Sequence, residues 1–276
     1  MKVSQLIALT YKKSEAKVFT LLLLAGILFA SCEKVVDIDL KDSEPKLVIE
    51  AEVNDLDTNH VVRISKTIPF TETNRFNSLS GAQVVLSTPG GQKITFTETE
   101  KGVYKSPKFA GVPGTRYVLD VNVEGKVYTA SSTMPLAVKL DSLGFRKLSF
   151  FGEEVIVPLA YYKDPKEAKN QYLFRIKAKD EEVQESLTED RFTNGNNVTE
   201  TLFTDLDELA EGDSLEVEMR GLDLPVYKYY FAIAQISGEG GPPVAPSNPN
   251  SNFNNGALGI FSAHTIFTLK AVVKLK

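Results

Sequence analysis

The side chains able to do chemistry are few in this chain and widely spaced. Its only histidines are His60 and His264. Each stands beside an expected strand, and neither has a second histidine or a cysteine at metal-ligand spacing, so structural or surface roles are expected for both. The segment Asn54-Asp55-Leu56-Asp57-Thr58-Asn59 opens like a calcium loop. His60 then stands where such a loop needs glycine for its sharp turn, and Lys66 where it needs the bidentate glutamate, so a calcium site is rejected. Glu153-Glu154 and Glu181-Glu182 are carboxylate pairs of the kind used in glycoside hydrolysis. Neighbours on a strand point to opposite faces, however, and cannot flank one bond; solvated surface is the better reading. No nucleophile elbow, phosphate loop or dinucleotide fingerprint occurs. No catalytic residue, metal or cofactor is assigned, and a protein that is not an enzyme is expected.

The single cysteine, Cys32, has a more specific setting. The apolar run Val18 to Ala30 would span about 20 Å as a helix, short of the roughly 30 Å that a bilayer core requires. Lys12, Lys13 and Lys17 precede it, and Ala30 and Ser31 come just before Cys32. That order of basic region, apolar region and small-residue cleavage site is that of a secretory signal over residues 1–31. A cysteine directly after Ala-Ser resembles the bacterial lipobox, in which the thiol takes a diacylglycerol and the new amino terminus an acyl chain. Three acyl chains exceed the two signals that stable anchoring needs. Cys32 is therefore the expected lipid-attachment residue, and residues 32–45, with Asp37, Asp39 and Asp42, the acidic spacer beyond it.

Removing the first 31 residues takes away four lysines and one glutamate, so the chain's formal charge of -5 becomes -8. Such a body is a poor candidate for binding nucleic acid through net charge. Lipidation of the one cysteine leaves no disulfide, so core burial must hold the fold. Tryptophan, the residue most often stacked on sugar rings, is absent.

From Lys46 the hydrophobic period is two. Leu47 to Val53, Val61 to Ser65, Gln83 to Ser87, Lys93 to Thr97, Val103 to Ser106, Tyr117 to Val123 and Val127 to Ser132 read as strands. Thr88-Pro89-Gly90-Gly91 and Glu124-Gly125 supply the positive φ of tight hairpins. Seven short strands without a helix predict a β-sandwich over 46–135. A second antiparallel, β-rich domain with one or two helices is expected over 136–276, with strands at Glu154 to Tyr162, Gln171 to Lys179, Ser214 to Arg220 and Ile260 to Lys276. Asp205 to Glu211 offers one helical turn. Asp223 and Pro225 cap a helix whose Val226, Tyr229, Tyr230, Ile233 and Ile236 follow helical spacing, and Gly238 stops it. Its aromatic face is expected to pack on the sheet rather than to serve as a ligand stripe.

Gly238 to Gly256 contains four glycines, four prolines and five asparagines, with Phe253 its one large apolar side chain. Loops of this length in compact domains are often functional. Two readings stand: a pinned surface crossover anchored by Phe253, or a partner- or ligand-binding loop carried by Phe253, Asn254 and Asn255. Asp141-Ser142-Leu143 and Asp213-Ser214-Leu215 resemble the short O-glycosylation acceptor of Bacteroidota, which makes Ser142 and Ser214 candidate acceptors; both triplets also suit turns at strand starts.

Gly81-Ala82-x-Val84, Gly102-Val103-Tyr104 and Pro113-Gly114-Thr115-x-Tyr117 resemble the transthyretin-like, carboxypeptidase-regulatory sandwiches, which are usually spacers or adhesive modules. Cys32 through Asp39 and Asn252 through Ala263 occur as a pair, with Phe109 to Gly114 and Asp141 to Leu143 between them. Together they resemble the domain-of-unknown-function 4249 family of Bacteroidota lipoproteins over nearly the whole mature chain; Ile260 stands where an aromatic is common and Phe253 where an aliphatic is. The resemblance implies an outer-membrane lipoprotein, often encoded beside a TonB-dependent transporter, with no established activity. The expectation is a non-catalytic accessory of an uptake or surface assembly, with that transporter as partner and the membrane reached through Cys32. The alternative is an adhesive or structural surface module, and a glycan-active enzyme comes last. Only Glu33 follows Cys32 directly, so the periplasmic and exterior faces stay open.

Overall fold

Tyrosines and glycines set the corners of this structure. In the computed structural model, which describes residues 44–69, 77–150, 152–178, 183–203, 209–237 and 249–275, the Ala82 N–H donates to Tyr104 Oη at 2.9 Å and the Val112 N–H to Tyr117 Oη at 2.7 Å. Each phenol is buried and fastens a turn to the strand beneath it. Cys32 with its signal, the spacer through residue 43, Glu181-Glu182 and most of the turn expected at Asp205 to Glu211 lie outside the described residues.

The first half contains β1 (Leu47–Asn54), β2 (Thr58–Lys66), the two-residue β3 (Asn77–Ser78), β4 (Gln83–Ser87), β5 (Lys93–Glu100), β6 (Val103–Phe109), β7 (Arg116–Val123) and β8 (Lys126–Thr133). The second contains β9 (Leu140–Phe150), β10 (Glu153–Lys163), β11 (Gln171–Ala178), β12 (Gln184–Glu189), a short 3-10 turn at Asp190–Phe192, β13 (Asn197–Thr201), β14 (Ser214–Leu222), the helix α1 (Leu224–Ser237) and β15 (Leu258–Val272). The fold is mainly β and of the sandwich class, and each strand expected from the alternating pattern is present. β3, β9, β12 and β13 come in addition. The last three are the edges of their sheets, and β3 pairs with β2 alone. Edge strands tolerate polar side chains on both faces, so period two does not announce them.

One sheet runs in the order β12-β11-β14-β15-β1-β2-β6-β5-β4-β7-β8, and a second in the order β13-β10-β9. β5 gives Lys93–Phe96 to β4 and Thr97–Glu100 to β6. That strand is the corner at which the long sheet folds over the first core, where Ile49 and Ile64 from one layer meet Leu86 and Leu119 from the other. The hairpin between β7 and β8 has Glu124 at φ 51 and Gly125 at φ 76, the two positive values that a two-residue turn needs. The second core lies between β11 and β14 on one side and the three-stranded sheet on the other. Tyr172, Phe174 and Ile176 of β11 face it with Val217 and Tyr162.

β15 joins the two halves. Residues Leu258–His264 pair in parallel with β1, and Thr265–Val272 pair antiparallel with β14. Phe261 and Ala263 enter the first core, while Phe267 and Leu269 pack on the second. Gly259, at φ +88, lies so close to β1 that a Cβ there would be 2.1 Å from the Ile49 carbonyl oxygen. No side chain larger than hydrogen fits at that crossing. Glu44–Lys276 forms one compact unit, in which the two cores share β15.

Candidate functional site

The outer face of the long sheet carries the side chains that can act on another molecule. In β1, Leu47, Ile49, Ala51 and Val53 turn into the first core, so strand alternation sends Glu50, Glu52 and Asn54 to the other side. On that side lies α1. Asp223 starts it as the sequence predicts: its Oδ1 accepts from the Val226 N–H at 3.2 Å, while Oδ2 accepts from the Thr133 N–H and the Ser132 hydroxyl at 2.8 and 3.0 Å. Burial raises the Asp223 carboxyl pKa, and those hydrogen bonds oppose the rise.

Only the first half of α1 behaves as the expected core helix. Val226 and Tyr227 are buried against Leu173, Leu222 and Ile260. Tyr229 and Tyr230, partly buried, pack against the same cluster. Ile233 and Ile236, expected on the packed face, are 41% and 49% exposed, and Leu224 and Phe231 are 45% and 42% exposed. An isolated helix of 14 residues is marginal in water, so the Asp223 cap and the Val226–Tyr227 contacts hold it.

Between α1 and the strands opens a cleft of about 350 Å3. Glu50, Glu52, Asn59 and Arg63 line it with the rings of Tyr229 and Tyr230, and Ile233 and Ile260 give it an apolar wall. Beside it a ladder of alternating charge crosses the sheet. Arg175 pairs with Glu185 at 3.1 Å and with Glu218 at 3.6 Å, and Arg220 pairs with Glu218 at 2.6 Å and with Glu52 at 3.2 Å. The Arg220 side chain is almost fully buried. Burial works against its charge, but Glu52 and Glu218 outweigh that and its pKa is raised. Burial and then Glu52 push the Tyr230 phenol up, and burial and then Glu50 do the same for Tyr229. Both phenols are therefore neutral donors.

The histidines lie within β2 and β15, and both are buried. His60 Nε2 donates to the Phe109 carbonyl at 2.9 Å and its Nδ1 accepts from the Asn54 N–H at 3.4 Å, which gives this ring a neutral, structural role. His264 meets the Ser262 hydroxyl through Nδ1 at 3.0 Å, and its Nε2 has no partner. Burial lowers both pKa values, against the Phe109 carbonyl for His60 and with the added charge of Arg220 for His264. Among the described residues no group of three His, Cys, Asp or Glu side chains is placed to hold a metal. Asn54 Oδ1 accepts from the Leu56 N–H at 3.0 Å and Asp55 Oδ1 from the Ile266 N–H at 2.8 Å, so the calcium-like segment is a hairpin connection. Glu154 is exposed and pairs with Lys147.

Phe253, Asn254 and Asn255 are brought to β8. Phe253 is 6% exposed, sits in the first core and forms a bridge with Ala130. Asn254 Oδ1 accepts from the Thr129 N–H at 2.8 Å, and Asn255 Nδ2 donates to the Val127 carbonyl at 2.8 Å. Asn252 ties the same segment to β15 by exchanging hydrogen bonds with Phe261. These contacts fit the pinned crossover: the segment covers the open edge of β8, and Asn254 Oδ1 and Asn255 Nδ2 are spent on backbone. Residues 238–248 lie outside the described residues. Ser142 and Ser214 are both exposed, the first on the edge strand β9 and the second at the start of β14.

The second core holds a polar cluster that sequence reading missed. The Tyr172 hydroxyl donates to Asp164 Oδ1 at 2.6 Å, the Gly195 N–H to Asp164 Oδ2 at 3.2 Å, and the Asn170 N–H to Asp190 Oδ2 at 2.7 Å. Burial raises the Asp164 carboxyl against those bonds, and the cluster fixes two loops to the sheet. The cleft residues Glu50 and Arg63 were missed too, and Tyr229 was expected on the packed face of the helix. Their signal was present as charges on the off-core face of β1 and β2, with an apolar helix later in the chain.

Among the described residues no helix is long and apolar enough to cross a membrane. Solved structures resemble parts of the chain only loosely. A DUF4785 family protein from Legionella pneumophila is 15% identical over 64% of this chain and 52% of its own, with a TM-score of 0.28. A pullulanase from Anoxybacillus sp., crystallised with maltotriose, is 14% identical over 62% and 24%, at 0.22. The chicken interferon gamma receptor alpha chain is 7% identical over 65% and 90%, at 0.18. The chain thus spans about half the length of the first of these and a quarter of the second. No curated protein matches it. The profile of the family described as Domain of unknown function (DUF4249) matches residues 33–270, a range that takes in the first core, nearly all of the second, the cleft and α1. The chain belongs to the DUF4249 family.

Proposed function

We propose that this protein is a non-catalytic outer-membrane lipoprotein, anchored through Cys32, that serves as an accessory of a TonB-dependent uptake or surface assembly and meets its partner through α1. The observation that carries the reading is the run of exposed apolar residues on that helix, Leu224, Phe231, Ile233 and Ile236. Leu224 and Phe231, seven residues apart, share one side of the helix, and exposed apolar side chains grouped on one side mark an interaction surface. The lipobox-like setting of Cys32 supports the anchor, and the family resemblance supports the transporter as partner.

The test is a cross-linked, affinity-tagged pull-down from native membranes with the intact protein, Cys32→Ser, and Phe231→Glu combined with Ile236→Glu. Recovery of one transporter with the intact protein, and its loss from both variants, is expected. Equal recovery with the helix variant would remove α1 from the interface. Recovery of nothing specific from a protein still found at the outer membrane would favour the adhesive surface module.

A further inference from the structure

The cleft beneath α1 has a charge pattern that selects among small ligands. Glu50 and Arg63 are opposite one another in the β1–β2 register, which places their Cβ atoms about 5 Å apart. Both side chains are exposed, and among the described residues neither is in an ion pair. Glu52 lies two residues along the same face, roughly 7 Å away, with its Oε1 on Arg220 and, among the described residues, no hydrogen bond to its Oε2. The opposite wall offers two neutral phenols and the rings that bear them, and Ile233 and Ile260 close one side with hydrocarbon. A volume of about 350 Å3 is at the low end for small-molecule sites, which run from roughly 300 to 1,000 Å3.

A simple anion entering here would meet Glu50 and Glu52. A simple cation would meet Arg63. A molecule with both charges on neighbouring atoms satisfies all three, because the guanidinium takes a carboxylate in a two-pronged hydrogen bond and the glutamates take an ammonium.

We infer that the cleft binds a zwitterion of the α-amino-acid class with an apolar side chain. Its ammonium lies between Glu50 and Glu52, its carboxylate on Arg63, and its side chain against Ile233, Ile260 and the tyrosine rings. The inference rests on reading the α1 side of the protein as a binding surface, and shares only Ile233 with it: Leu224, Phe231 and Ile236 do not line the cleft.

Calorimetry on the full-length protein in detergent tests it with three probes: L-leucine, L-leucine methyl ester and N-acetyl-L-leucine. L-leucine is expected to bind, with the ester and the acetylated form each weaker by about tenfold or more, since each loses one charge-assisted contact. Glu50→Gln and Arg63→Gln should each weaken L-leucine by a similar factor while leaving thermal unfolding unchanged, because both side chains are exposed. No heat with L-leucine at millimolar concentration overturns the inference. So does an ester that binds as well as the free acid, an acetylated form that binds as well as the free amine, or tighter binding by Arg63→Gln. The pull-down separates this from the docking reading: Glu50→Gln should still recover the transporter even if the calorimetry is silent.

Discussion

Replacing Phe253 by alanine decides what the segment before β15 is for. The ring is 6% exposed and belongs to the first core, and its backbone forms a bridge with Ala130 on the edge of β8. Removing a buried phenylalanine costs about 3–5 kcal/mol through lost burial and the cavity left behind. Against a total stability of roughly 5–15 kcal/mol, that is a large fraction. For a chain of this size each kcal/mol lowers the melting temperature by about 2–4 °C, so the fall should be roughly 6–20 °C. The neighbours should follow a gradient. Asn254→Ala loses one exposed hydrogen bond to Thr129 and should cost about 0.5–1.5 kcal/mol. Asn255→Gly should cost no more, because Asn255 is at φ 57, where glycine is at ease. Urea unfolding followed by circular dichroism measures all three. A ligand-binding loop would show the reverse, three variants as stable as the parent, and Phe253→Ala within about 1 kcal/mol of the parent would refute the pinned-crossover argument.

Gly259→Ala should be among the most damaging single changes, costing more than about 3 kcal/mol, because the added carbon meets the Ile49 carbonyl and φ +88 is strained for any side chain; a parent-like melting temperature would contradict this. Asp223→Ala removes a helix cap and the acceptor for Thr133 and Ser132, and should cost about 2–4 kcal/mol by urea unfolding, with Asp223→Asn much milder. Because burial lowers the pKa of His60 and His264, the unfolded chain takes up protons below about pH 6.5 that the folded chain refuses. Stability should therefore fall as pH drops from about 7 toward 5, by up to about 1.4 kcal/mol per pH unit for each histidine. The raised carboxyls of Asp164, Glu200 and Asp223 act with the opposite sign, their contribution fading as pH rises from about 4 through their folded values. Urea midpoints of the parent and His60→Gln at about pH 7.5 and 5.5 isolate the histidine part, and an equal pH dependence in both would sink it.

The alternating strands were legible because one face of each had to be apolar. Tyr172, Phe174 and Ile176 enter the second core while Arg175 and Lys177 do not, and that contrast is written directly in the sequence. The α1 start was legible for a similar reason, since Asp223 and Pro225 encode a cap whatever packs on the helix. β12 and β13 were not, because an edge strand such as Gln184–Glu189 needs no continuous apolar face. The cleft was hidden for a different reason. Glu50 and Arg63 look like ordinary outward-facing charges until the register sets them opposite one another and α1, far along the chain, comes to roof them. Phe253 was legible only as an alternative between anchor and ligand contact, because its neighbourhood is made by β8, more than a hundred residues earlier in the chain.

The first half of the chain depends on the far end of the second for its core. The sequence places a boundary near Pro135, and residues 46–135 contain eight of the strands. They nevertheless lack Phe253, Ala257, Phe261 and Ala263, all of which fill the first core from the far end of the chain. They also lack β15, so the edge of β1 from Val48 to Asn54 loses its parallel partner. Two missing core phenylalanines alone are worth about 6–10 kcal/mol by the usual cost of such deletions, comparable to the whole stability of a small domain. The exposed β1 edge adds a template for aggregation. A fragment of residues 46–135 is therefore expected to be unfolded or aggregated, with poorly dispersed amide resonances. Adding a peptide of residues 249–264 should restore dispersion, because it supplies both the missing side chains and the missing edge. A 46–135 fragment that unfolds cooperatively without the peptide would show that β15 is an accessory to the first sandwich rather than part of it.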